Sequence, residues 1–284
     1  MNFKDITVGI VTFNSEKVIF ECLKSIKKIK NIIIFDNSND LTLKKKILSQ
    51  FPNIKFILSK KNIGYGAGNN KIINLCKTKY LFILNPDTIL KRNCENELLK
   101  TLNEIDNSHL SILAPISNDK NYGYFNDLKK FQTKKKFKVS YVKGFAMLVD
   151  IKKIQSIRKF DENFFLYLEE IDLCKRLVKK GYSIYVTKTA KIKHLAAQSS
   201  NLGSEFEKCR NWHWMWSSFY FYKKYNSHLS AIIKFLPQLL FLSMKIIFNL
   251  MLMNREKMIK NLFRFLGLLN AIIRKSSWYR PKLY

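Results

Sequence analysis

Apolar runs and helical periodicities alternate along residues 6–90. Ile6-Thr7-Val8-Gly9-Ile10-Val11 predicts a buried strand. Val18, Ile19, Cys22, Leu23 and Ile26 then recur at helical spacing behind Ser15, a residue suited to an N-cap. Ile32–Phe35 predicts a second buried strand, a charged helix follows, and Ile54–Leu58 predicts a third strand. Glycines at 64, 66 and 68 suggest a loop running into a helix near 69–77, before a fourth strand over Tyr80–Leu84. Four rounds of strand, loop and helix predict an α/β domain whose largely parallel sheet is covered on both faces. In such sheets ligands sit at the carboxyl ends of the strands. Asp36, the glycine segment and Asp87 all fall at those ends.

Farther on the pattern loosens. Residues 117–138 are polar and lysine-rich and predict an exposed loop. A strand is expected over Val139–Asp150, a helix over 166–180 closed by Gly181, and another strand through Ile184–Val186 towards His194. From residue 205 the chain becomes aromatic and apolar, which divides it into a domain over 1–204 and a helical region over 205–284. Residues 229–253 are strongly apolar but contain Lys234, Pro237 and Lys245. A membrane span needs about 20 apolar residues with few charges. The expected placement is therefore on a membrane surface, with aromatic rings at headgroup depth and lysines reaching anionic lipid. A helical core, a dimer interface giving a homo-oligomer, and a true span are the other placements this composition allows.

Charge sharpens that picture. The chain of 284 residues carries 51 Lys+Arg against 21 Asp+Glu, a formal net charge of +30, and residues 205–284 hold 14 cations against 3 acids. Such a balance favours anionic partners. Only 8 of the cations are arginine, and with no zinc-finger, RNP or basic-zipper pattern the sequence points away from specific nucleic-acid recognition. The five cysteines are scattered without a C-x-x-C pair, which excludes a disulfide scaffold and fits a reducing compartment. No signal-peptide pattern precedes the first strand.

Few residues offer chemistry. Asp87 follows Asn85-Pro86 at the end of the fourth strand, where a carboxylate can hold a divalent cation or simply form a turn. Asp36 is equally open between a nucleoside contact and an Asx-turn. The glycine segment lacks dinucleotide-fingerprint spacing but would let backbone approach a phosphate. On a helix, Glu170 falls within the apolar stripe of Ile171, Cys174, Leu177 and Val178, with Glu169, Asp172 and Arg176 on the other side. A carboxylate so placed has a pKa raised towards that of a general base, unless the helix starts near 170 and Glu170 serves its first turn. His194 could join Asp87 in a mixed N/O site for Mn²⁺ or Mg²⁺. His109, His213 and His228 show no supporting pattern, and no nucleophile elbow is present.

Taken in order, Val11-Thr12-Phe13-Asn14, Asp36-Asn37-Ser38, Asn62–Asn69, Asn85-Pro86-Asp87, Gly144–Met147, Phe160–Phe165 running into Glu169–Leu173, and His194 resemble the inverting, nucleotide-sugar-dependent glycosyltransferases of family 2, especially their rhamnosyltransferase-like members. The resemblance spans residues 5–225. It implies the GT-A fold, with a mainly parallel central sheet flanked by helices and a helical C-terminal extension. It also implies that Thr12, Phe13, Asn14, Asp36, Gly64, Gly66, Asn69, Asn85 and Asp87 face a dTDP- or UDP-sugar donor. By the same resemblance Asp87 and His194 hold Mn²⁺ or Mg²⁺, although Asn85 replaces the first acid of the family's D-x-D motif. Glu170 is the implied base, with Glu169 its rival, and Gly144–Met147 would shape the sugar and acceptor site. The expected activity is transfer of a sugar such as rhamnose to a hydroxyl of a bacterial surface polysaccharide, lipopolysaccharide or lipid-linked glycan, at the inner face of the cell membrane. A catalytically silent sugar-nucleotide or polyanion binder and a nucleotidyltransferase are the competing readings.

Overall fold

A computed structural model describes residues 1–117, 134–195 and 203–280. The chain separates into two compact units. One comprises Met1–Asp161 with Glu170–Ser200, and the other Glu162–Glu169 with Asn201–Tyr284.

The first unit is built on β1 (Ile6–Thr12), α1 (Glu16–Ser25), β2 (Asn31–Asp36), α2 (Leu41–Gln50), β3 (Lys55–Leu58), α3 (Tyr65–Leu75) and β4 (Tyr80–Leu84). It continues with β5 (Thr88–Leu90), α4 (Cys94–Glu104), β6 (Leu110–Ser117), β7 (Lys136–Val139), β8 (Ala146–Asp150), α5 (Ile151–Ser156), α6 (Glu169–Lys179, the helix whose first residue groups with the other unit) and β9 (Ser183–His194). One sheet has the order β3-β2-β1-β4-β8-β6-β9-β5, with β7 added on β9. Its first four strands are parallel, as their apolar runs predict. Beyond β4 the sheet becomes mixed. β8 runs antiparallel to both β4 and β6, β6 is parallel to β9, and β5 and β7 are antiparallel to β9. A strand covered on both faces is apolar throughout in either direction, so its sequence carries no mark of the partner's polarity. Ile19, Leu23, Leu43, Ile47 and Leu98 cover one face. Ile72, Ile73, Ile154, Leu173 and Leu177 cover the other.

Several expectations need correction. The glycine segment is helical: α3 begins at Tyr65, placing Gly66 and Gly68 in its first turns, and only Gly64 takes a positive φ, at 90°. Gly68 is there for packing, since a Cβ would come within 2.9 Å of Val11. The strand expected over Val139–Asp150 is two strands, β7 and β8, separated by irregular residues 140–145. Of the expected loop at 117–138, Ser117 ends β6, residues 136–138 belong to β7, and residues 118–133 lie outside the described residues. Ser15 stands at the head of α1 without a side-chain cap; its hydroxyl bonds the backbone of Phe13 instead. The stripe assigned to α6 is rotated. Val178 is exposed, whereas Asp172 is fully buried and bound by Arg176 at 2.7 Å. An ion pair at i, i+4 can enter the interior more readily when the guanidinium gains a further acceptor, here the Ile157 carbonyl at 2.6 Å.

The second unit is helical: α7 (Gly203–Tyr225), α8 (His228–Met251) and α9 (Arg255–Ile272). Trp212, Met215, Trp216 and Phe219 of α7 pack with Ala231 and Leu242 of α8 and with Leu268 and Ala271 of α9. Gly267 allows α9 to lie against α7, because a Cβ there would overlap the Trp212 carbonyl. Segment 162–169 joins this core: Ser217 Oγ donates to the Leu166 carbonyl at 2.8 Å, and Arg210 Nε donates to the Tyr167 hydroxyl at 2.8 Å. α8 continues through Pro237 and is long and apolar enough to cross a membrane.

Candidate active site

Parallel pairing aligns the ends of β1 and β2, so Thr12 lies opposite Asp36. Asp36 is fully buried and heavily committed. It accepts from Thr12 Oγ1 at 2.8 Å, Ser38 Oγ at 2.7 Å and the Asp40 backbone N–H at 2.9 Å. Its carboxylate therefore shapes the loop after β2. Asn14, at φ 48°, donates its N–H to Ser38 Oγ at 2.9 Å, which holds the Phe13-Asn14 turn against that loop. Asn37 ties the same loop to the start of α3: its amide donates to the Gly64 carbonyl and accepts the Ile63 N–H. Asn69 is buried, and its amide donates to the Tyr65 carbonyl at 3.0 Å. Thr12, Phe13, Asn14, Asp36, Gly64, Gly66 and Asn69 thus gather where β1, β2 and α3 meet.

A second group forms at the end of β4. The Asn85 N–H donates to the Phe145 carbonyl at 2.9 Å, and Thr88 Oγ1 donates to the same oxygen at 3.2 Å. β5 pairs with the last residues of β9, placing Thr88 opposite His194. Asp87 Oδ1 consequently stands 3.3 Å from His194 Nε2, and the His194 ring stacks on Phe145 with centroids 4.7 Å apart. Gly144 precedes Phe145, and a Cβ on Gly144 would lie 3.5 Å from Cβ of Glu170. The Tyr65 hydroxyl donates to the Gly144 carbonyl at 2.5 Å, so the two groups share one framework.

Two expected carboxylates are now distinguished. Glu170 is half-buried beside Gly144, and burial pushes its carboxyl above the usual range. The Lys143 charge and the backbone N–H groups of Glu170, Ile171 and Gly144 oppose that shift. Glu169 is buried in the segment that groups with the helical unit. Burial, and to a smaller extent the Glu169 charge, raises the Tyr167 phenol. The turn into α6 is strained, because Tyr167 and Leu168 both adopt positive φ, 72° and 69°.

The donor set beside Asp87 suits a hard divalent cation. Asp87 Oδ1 and Asn85 Oδ1 are buried oxygens with no hydrogen-bond donor among the described residues, and His194 Nε2 faces the first. Among the described residues no cluster of three His, Cys, Asp or Glu ligands occurs. The chain would thus supply only part of a coordination shell, as is usual where substrate phosphates complete it. The four thiols of Cys22, Cys94, Cys174 and Cys209 are pushed up to about 12 by burial and are chemically inert.

The bonds by which Asn37, Tyr65 and Asn70 hold this framework were not identifiable from sequence, although Asn37 and Tyr65 fall in the motifs quoted above and Phe145 in the segment expected to shape the acceptor site. Asn70 grips the Phe160 backbone in both directions, at 2.9 and 3.0 Å. Only the clustering of asparagines at 37, 62, 69 and 70 near predicted strand ends hinted at this polar scaffold.

A sequence profile described as Glycosyl transferase family 2 matches residues 7–162. Rhamnosyltransferase WbbL of Escherichia coli (strain K12) is 25% identical over 228 residues, covering 69% of this chain and 84% of that protein. The solved structure of the mannosyltransferase PcManGT from Pyrobaculum calidifontis, in complex with GDP-Man and Mn²⁺, superposes with a TM-score of 0.61 at 12% identity, over 94% of this chain and 87% of that one. That of GalNAc-T7 with UDP, GalNAc and Mn²⁺ gives 0.53 at 10% identity over 66% of this chain, which spans 43% of that longer protein. With the profile matched over more than half its length and the fold shared with both solved structures, the chain belongs to glycosyl transferase family 2 and has the GT-A fold.

Proposed function

We propose that this protein is an inverting glycosyltransferase that moves a hexosyl group, rhamnose being the first candidate, from a dTDP- or UDP-sugar to a hydroxyl of a bacterial surface polysaccharide, lipopolysaccharide or lipid-linked glycan. The observation that carries the reading is the continuity from Asp87 through His194, Phe145 and Gly144 to Glu170. Likeness to a rhamnosyltransferase favours the sugar. Thr12, Phe13, Asn14, Asp36, Gly64, Gly66 and Asn69 frame the nucleoside end of the donor. The Asp36 carboxylate acts there mainly by holding the loop that carries Asn37 and Ser38.

Asp87, His194 and Asn85 would hold Mn²⁺ or Mg²⁺ together with the diphosphate. Such a cation, when bound, supplies positive charge against the negative charge that grows on the leaving diphosphate. Glu170 takes the proton from the acceptor hydroxyl as that oxygen bonds the anomeric carbon. The bond from that carbon to the diphosphate oxygen breaks in the same displacement, so the sugar inverts and the nucleoside diphosphate leaves. The raised Glu170 carboxyl makes a better base than an exposed glutamate, because a higher pKa holds the transferred proton more firmly. Glu169 is the alternative base, and the pair is separated by comparing Glu170→Gln with Glu169→Gln.

The basic helical unit is proposed to lie on the inner face of the cell membrane. This reading rests on the exposed apolar residues of α8 and the excess of cations over 205–284. The decisive experiment incubates the full chain with a panel of UDP- and dTDP-sugars and Mn²⁺, following donor-dependent thermal shift and nucleoside diphosphate release. Release of pyrophosphate instead would identify a nucleotidyltransferase. Donor binding that survives in Glu170→Gln, with no turnover in either form, would identify a silent binder. Turnover insensitive to EDTA would remove the metal.

A further inference from the structure

Along α8 the residues Leu229, Ile233, Leu236, Leu240, Met244 and Ile247 remain 45% to 66% exposed. Their spacing of three and four residues forms one stripe, opposite the buried Ala231, Leu242 and Asn249. A bare apolar stripe of this length marks a contact surface. Well round the same helix from this stripe, beyond the exposed Phe241 and Phe248, lies a cleft of about 330 Å³ whose lining includes Trp214, Ser218, Lys234, Phe235, Gln238 and Arg264. No acid lines it. Among the described residues neither Lys234 nor Arg264 forms an ion pair. The Lys234 ammonium sits 5.1 Å over the Tyr222 ring, and Arg264 uses its Nε to bond Asn211 at 2.8 Å, which leaves the outer guanidinium donors for a ligand.

We propose that this cleft is a headgroup site for an anionic glycerophospholipid. The phosphate lies between Lys234 and Arg264, Ser218 and Gln238 bond the headgroup hydroxyls, and the acyl chains run over the exposed Phe241 and Phe248 towards the α8 stripe. The inference rests on the reading of the helical unit as a membrane-surface element and gives that contact its chemistry. A phosphate diester matches a paired ammonium and guanidinium. An aromatic residue such as Trp214 is suited to the interfacial depth at which a headgroup lies. A free phosphate would leave the stripe in water. A second copy of this chain would bring together two regions that each carry 14 cations against 3 acids.

The test is co-sedimentation of the full chain with vesicles of phosphatidylcholine alone or with phosphatidylglycerol added. The double variant K234Q/R264Q is compared with the control pair K257Q/K260Q on α9. Because Arg264 also bonds Asn211, K234Q is measured alone as well, at an exposed position. Wild type is expected to bind the anionic vesicles at least about tenfold more tightly than the neutral ones. The double variant should lose about tenfold and the control pair about twofold or less. Equal losses in both pairs overturn the cleft and leave membrane binding standing. Absence of vesicle binding by wild type overturns both, while donor-driven thermal shift tests sugar transfer independently. Competition by soluble glycerol 3-phosphate would assign the cleft to a free phosphate, and a stable dimer that blocks vesicle binding would assign the stripe to a second copy; either result sinks the proposal.

Discussion

The two units use apolar residues in opposite ways. In the sheet unit, β1, β4 and β8 are buried along their whole length, and the polar groups of the candidate site gather at their ends. In the helical unit the interior admits Asn211, His213, Ser217, Asn249 and Asn261, while leucines, methionines and phenylalanines of α8 stand in water. Burial in the first unit is explained by the fold alone. In the second, packing among the described residues of the helical unit accounts for only one side of α8. The contrast teaches that high hydrophobicity in a segment says nothing about which way it faces until its packed side is known.

The sharpest way to break this comparison is a pair of substitutions on one helix. Leu242→Asp places a charge in the helical core and should cost more than about 3 kcal/mol, enough to unfold that unit. Leu240→Asp, two residues away on the bare side, should cost less than about 0.5 kcal/mol and weaken vesicle binding instead. All four tryptophans, at 212, 214, 216 and 278, belong to the helical unit, so denaturant melts followed by tryptophan fluorescence read it selectively. In the sheet unit, Glu170→Gln should lower kcat by at least about 10²-fold, equivalent to about 2.7 kcal/mol of barrier. Wild-type rates would move the base to Glu169.

Titration distinguishes the units further. The fully buried His213, whose Nε2 lies 2.8 Å from the Tyr279 carbonyl, is held down to about 3, chiefly by burial. The unfolded chain takes up a proton below about 6.5 that the folded unit refuses, so stability falls as pH falls through that window. Moving from pH 7 to pH 5 should remove about 2 kcal/mol from the helical unit, measured as a lower urea midpoint. Glu170 has the opposite sign. Its folded carboxyl is raised, so its ionisation costs stability as pH rises above the usual carboxylate range. Glu170→Gln should therefore raise Tm at pH 7 by a few degrees, roughly the shift produced by 1 kcal/mol, while activity collapses. Loss of both would mean that the side chain is structural.

Much of this was legible in sequence, for identifiable reasons. β1, β2 and β4 could be read as short unbroken apolar runs because both their faces are covered, and α1 because its one buried face leaves a helical period. Asp87 and His194 could be read as ligand types, but their meeting depends on the pairing of β5 with β9, which no local pattern encodes. The glycine segment misled because three glycines in five residues suggest a loop, whereas two of them lie within α3 and Gly68 serves its packing. Asp172 misled because its pairing with Arg176 lets a carboxylate occupy an interior position. The polarity of β8 was invisible, since apolar strands look alike in either direction.

One close approach sets the shape of the donor side. Gly9 on β1 and Gly68 on α3 face neighbours so near that an added methyl would meet Ile72 at 2.8 Å in one case and Val11 at 2.9 Å in the other. The height of α3 above the sheet is therefore fixed by two missing carbon atoms. Restoring either would press the opening turn of that helix outward, carrying Gly64 and Tyr65 with it and loosening the tether to Gly144 that links the two groups of the candidate site. Spacing in the candidate site is in that sense set by steric vacancy, at two positions buried beneath it.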